Sequence, residues 1–184
     1  PNKNLAVKAL REYQIPYVGL KIGIHEFNYQ IDRKFFEAFE GSLISDCQVH
    51  VKLELEKKET LFILNFFIDG TVNVVCDRCS ENFDKKIFGD YQCIVKFKDA
   101  RADFTNDDDE LIFISREDNF IETADLIYDY INLSLPMQLI HPDKEDGTPG
   151  CNPEVLKYLT STEESTPDDE DPRWAALKKF KNEN

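Results

Sequence analysis

Five cysteines and three histidines are the side chains of this sequence best suited to chemistry. Cys76 and Cys79 are separated by Asp77 and Arg78, and the tetrapeptide falls between two apolar stretches, Thr71–Val75 and Phe83 onward. Two thiols on one turn between strands can share a metal ion, cycle as a redox pair, or pack as ordinary buried cysteines. Zinc takes four ligands in a tetrahedron, so Cys76 and Cys79 need two more. His141 and Cys151, in an irregular segment rich in Pro and Gly, are the best source. A site made of Cys76, Cys79, His141 and Cys151 would be closed and structural, pinning that segment to the sheet and contributing about 10 kcal/mol to folding. Its His-x9-Cys spacing matches no standard finger. The redox reading fits less well, because a thioredoxin-like pair opens a helix. Here Ser80-Glu81-Asn82-Phe83 runs into further strand pattern. Cys47 and Cys93 sit on apolar strand faces and read as core.

No other constellation stands out. His25 and His50 lie in strand stretches with no nucleophile beside them, and there is no G-x-S-x-G, H-E-x-x-H or phosphate-cradling glycine loop. The expected protein is therefore not an enzyme. A nucleic-acid surface has one candidate. Lys85, Lys86, Lys96, Lys98 and Arg101 lie among Phe83, Phe88, Tyr91 and Phe97, and a basic face with interleaved aromatics can stack bases. Asp84, Asp90, Asp99 and Asp103 dilute it, so a mixed surface face is the plainer reading. The acidic run Asp107–Glu110 lacks calcium-loop spacing and reads as a solvated loop.

The elements that must position these residues follow from patterning. Cys47, Val49, Val51, Leu53 and Leu55 alternate with polar residues, the mark of a strand with one wet face. Leu61–Ile68 is apolar on both faces and belongs in the middle of a sheet, with Asp69-Gly70 reading as a bulge or bend. Residues 24–31, 83–97 and 111–114 supply further strands. Asp32 and Thr123 are placed to cap short helices over residues 32–40 and 124–134. The expected fold is α+β and β-rich, an antiparallel sheet curled into a partly closed barrel with short flanking helices.

Length and charge set the frame. At 184 residues the chain suits one domain with a real core, here residues 1–160. Residues 161–171 are acidic and without apolar side chains, the composition of a disordered linker. From 172 the sign flips: Pro172, the cations toward the end, and Trp174 and Leu177 on one face predict a short helix over 172–184. That helix either folds back on the core or anchors a partner through Arg173, Trp174 and Leu177. With 36 acidic against 22 basic residues the net charge is −14, so phosphate backbones are repelled and cationic proteins or metal ions are the natural partners. Five cysteines without a secretory leader or an apolar run of membrane-spanning length predict a cytoplasmic protein with reduced thiols and no membrane contact.

Several motifs occur together in order: Gly23-Ile24-His25-Glu26-Phe27, then Ile31-Asp32 with Phe35-Phe36, Cys76-Asp77-Arg78-Cys79, Leu126 to Leu135-Pro136, His141 with Cys151, and Asp171-Pro172-Arg173-Trp174-Ala175-Ala176-Leu177. In these the chain resembles the YceD family, the large ribosomal RNA subunit accumulation proteins, over nearly its whole length. The resemblance implies a bacterial or plastid factor supporting synthesis, processing or stability of large-subunit (23S) ribosomal RNA, and it transfers no catalytic residue. Combined with the charge, it points to a non-enzymatic factor working through a basic ribosomal protein or a pre-ribosomal large-subunit particle. The alternatives are a β-barrel protein touching RNA through the Lys85–Arg101 face and, more remotely, a thiol redox protein. Zinc is the one cofactor the residues suggest.

Overall fold

The computed structural model describes residues 10–98 and 111–160. The linker and terminal helix expected over 161–184, with Arg173, Trp174 and Leu177, lie outside the described residues, as does Arg101. The chain divides into two compact units, one ending at Leu139 and one beginning at Ile140.

In the first unit a short 3-10 turn, Leu10–Tyr13, leads into β1 (Gln14–Pro16). Then come β2 (Gly23–Ile31), α1 (Arg33–Phe36), β3 (Asp46–Lys57), β4 (Leu61–Val75), β5 (Asn82–Phe97), β6 (Leu111–Ile114), β7 (Phe120–Glu122) and α2 (Ala124–Leu133). Five strands form one sheet in the order β2-β3-β4-β5-β6. The chain stretch that is apolar on both faces is indeed its middle strand. The pairs from β2 to β5 are antiparallel and β5–β6 is parallel.

Two expectations are corrected here. The sheet is mixed rather than antiparallel, and it is open rather than curled toward a barrel. Closure would need the outer strands to pair. Instead β2 and β6 remain edges, while β1 and β7 pair with each other in a separate two-stranded sheet. Asp69-Gly70 makes no bulge either, since β4 holds register with β3 through Val49↔Gly70 and His50↔Asp69. The glycine is there for room: a Cβ on Gly70 would come within 2.4 Å of the Gln48 carbonyl oxygen.

One sheet face is the core. Val49, Val51, Leu53, Leu55, Leu64, Phe66 and Val95 are fully buried on it. Helix α2 packs here, with Tyr130 edge-on to Phe66 at 5.1 Å and stacked on Tyr91 at 4.6 Å. Asp32 caps α1 as expected, its side chain accepting from the Lys34 N–H at 2.9 Å. Thr123 does not cap α2. Its hydroxyl donates instead to the Tyr13 carbonyl at 2.7 Å and ties the helix start to the 3-10 turn. In the second unit, residues up to Asn152 are irregular and α3 spans Pro153–Thr160.

Candidate metal centre

The turn joining β4 to β5 is built for two inward thiols. The Cys76 N–H donates to the Glu81 carbonyl at 2.9 Å and the Ser80 N–H donates back to the Cys76 carbonyl at 2.9 Å. Ser80 takes φ 59°, which lets the chain reverse within six residues. Cys76 and Cys79 are buried while Asp77, Arg78 and Ser80 are exposed. Asp77, between the cysteines, clasps Leu139 twice. Its N–H donates to the Leu139 carbonyl at 2.7 Å, and its carboxylate accepts from the Leu139 N–H at 2.7 Å. Leu139 precedes His141 by two residues, so this clasp anchors the chain just before the histidine.

The segment after Ile140 holds its own pair by backbone means. Lys144 and Thr148 close a turn through the Lys144 N–H to the Thr148 carbonyl at 2.8 Å, with Gly147 at φ +78° inside it. The Asp146 carboxylate accepts from the Thr148 N–H at 2.9 Å and from its hydroxyl at 2.5 Å. These bonds hold its charged form, so its carboxyl sits below the usual range. The returning chain passes close beside His141. A Cβ on Gly150 would lie 2.2 Å from the Pro142 carbonyl oxygen and 3.2 Å from the His141 Cβ. Cys151 follows, buried, and Asn152 caps α3 by accepting from the Glu154 N–H at 2.9 Å.

Cys76 and Cys79 stand in the first unit and His141 and Cys151 in the second, and as a set these four could hold a metal ion. Three thiols and one imidazole are a soft, zinc-type donor set, the cysteines are all free of disulfides, and their burial suits a closed site. The remaining cysteines stand apart as core residues. Burial pushes the Cys47 thiol up to about 12, aided by Asp46 and Asp32, and the Cys93 thiol up to about 11.

Among the described residues, Lys85, Lys86 and Lys96 do not share one sheet face. Strand register puts Lys86 and Lys96 on the open face of the sheet with Phe88, and Lys85 on the core side with Phe83 and Tyr91. Lys86 and Lys96 are ten residues apart on one strand, roughly 33 Å, and Lys98 lies beyond the strand end. What reading the sequence missed is the support for the thiols: the Asp77 clasp, the left-handed Ser80 and the close pass at Gly150. An aspartate inside the cysteine pair and a glycine directly before Cys151 were the available signals.

The fold is that of a β-rich α+β protein, and four of its side chains could hold a metal ion. A family model described as large ribosomal RNA subunit accumulation protein YceD matches residues 64–181, and the chain belongs to that family. Its role therefore lies in accumulation of the large ribosomal RNA. No curated protein and no solved structure matches the chain. Among the described residues no helix is long and apolar enough to cross a membrane.

Proposed function

We propose that this chain supports large-subunit ribosomal RNA accumulation without covalent chemistry, by binding basic ribosomal proteins or a pre-ribosomal particle in the cytoplasm. The charge of the sheet's open face carries this reading. Asp46, Asp69, Asp84 and Asp90 stand there with Glu26, Glu54 and Glu56, against Lys52, Lys86 and Lys96. That surplus, within a chain of net charge −14, attracts cationic polypeptides and repels phosphate. The splitting of the lysine stripe between two faces takes away the main support for direct RNA stacking. The test is binding of the purified protein to isolated lysine-rich large-subunit proteins and to naked large-subunit RNA over a salt series. Tighter, salt-sensitive binding to the proteins is expected, and equal or stronger binding to RNA would refute the reading.

The same proposal includes a structural zinc held by Cys76, Cys79, His141 and Cys151. The soft donor set and the two backbone devices next to it in the chain, at Asp77 and Gly150, support it. Four protein ligands leave no open position, so such an ion would stabilise and not catalyse.

A further inference from the structure

The open face of the sheet carries a two-by-two pattern that differs from the rest of that face. On the β4–β5 ladder Phe67 stands opposite Asp90, and Asp69 stands opposite Phe88. The two rings therefore occupy one diagonal and the two carboxylates the other, with diagonal neighbours about 7–8 Å apart. Phe88 is 82% exposed and Phe67 39% exposed, and both aspartates are exposed. Around the square, Gln92 donates to Asn65 at 2.6 Å in the row on one side, the row on the other side sets Thr71 opposite Lys86, Asn73 donates to Asp84 at 2.7 Å in the row beyond, and Lys52 bridges Glu54 at 2.8 Å and Glu26 at 3.4 Å. Asp69 and Asp90 have no ion pair among the described residues. On β3 the square is flanked by His50, opposite Asp69, and by Lys52, opposite Phe67.

We infer that the Phe67, Asp69, Phe88 and Asp90 square docks an arginine-bearing basic segment of a partner protein. This rests on the reading above that the chain acts through basic proteins, and it names the surface. A guanidinium is planar. It can lie flat on a phenyl ring while its N–H groups meet a neighbouring carboxylate, and the alternation of ring and carboxylate offers both at once. An exposed ring on the open face of a sheet is the kind of anchor that dominates interface energetics. Charge excludes the other occupants. RNA would set phosphates against two carboxylates, and a second copy of a chain at −14 would set acid against acid.

The test uses the full chain, a fluorescent arginine-rich peptide, its lysine counterpart, and proteins extracted from large ribosomal subunits. All four side chains are exposed, so Phe88→Ala and the pair Asp69→Asn with Asp90→Asn should fold normally, as checked by thermal melts. Each is expected to weaken arginine-peptide binding about tenfold, and the lysine peptide should bind more weakly than the arginine peptide. Glu26→Gln with Glu56→Gln removes the same charge from the same face and should cost far less. Equal losses in both charge pairs would overturn the docking site while leaving the basic-partner reading standing. Failure of the unaltered chain to bind any extracted ribosomal protein would defeat that reading itself. Loss of RNA binding or of self-association, and not of peptide binding, in Phe88→Ala would overturn the inference.

Discussion

Cys151 and Cys93 are both buried cysteines, yet their surroundings separate them. Cys151 belongs with Cys76, Cys79 and His141 to the set that could hold a metal ion, whereas Cys93 lies in the sheet core opposite Leu64. Replacing Cys76 or Cys151 by Ser should drop bound zinc from about one equivalent to none by elemental analysis and lower the melting temperature. Cys93→Ser should leave the metal content unchanged. Metal in unaltered protein well below one equivalent would retire the ligand assignment. The cysteine pair and its distant partners were legible as a candidate set, because soft ligands at a turn have few other uses. That the thiols come with a clasp from Asp77 and a tight pass at Gly150 was not legible, since both depend on which backbone lies alongside.

At the scale of elements, the long ladder from β3 to β5 is where the sequence spoke most clearly and also where it misled. Strict alternation in residues 47–55 identified a strand with one wet face, as period-two patterning should. Gly70 looked like punctuation, yet it sits mid-strand where β3 and β4 approach. Gly70→Ala would force a Cβ to within 2.4 Å of the Gln48 carbonyl oxygen, and backbone on both sides must move. We expect a loss of about 2–3 kcal/mol in urea unfolding, the usual size of an overpacking strain. Gly19→Ala, where a Cβ meets nothing within 4 Å, should change stability little. Thr123 makes a similar point, for a residue of the right type for a cap spends its hydroxyl on Tyr13 instead.

Across the whole molecule, a net charge of −14 is paired with a core that is sensitive to base. The thiols of Cys47 and Cys93 are raised to about 12 and about 11 by burial, and burial likewise raises the hydroxyls of Tyr13, Tyr17 and Tyr29. For each group the folded pKa exceeds the unfolded one, so the unfolded chain loses protons first as pH rises. Stability should therefore be flat below about pH 8.5 and fall from about pH 9 through 11–12. Thermal melts across that range should show the decline, and Cys47→Ala with Cys93→Ala should shift its onset upward relative to the starting stability. An unchanged onset would mean the tyrosines alone set it.

The sequence alone determined the strands of the five-stranded sheet, the acid surplus, the family and the four candidate ligands, because alternation, charge and soft-ligand chemistry are carried by residue types, whereas the short β1 and β7 carry too few residues to show a pattern. Only the tertiary structure decided that the sheet stays open and mixed, that the lysine stripe splits, and that two phenylalanines and two aspartates form an exposed square. Those outcomes depend on strand partners and register, and a shift of one residue in pairing moves every side chain to the other face.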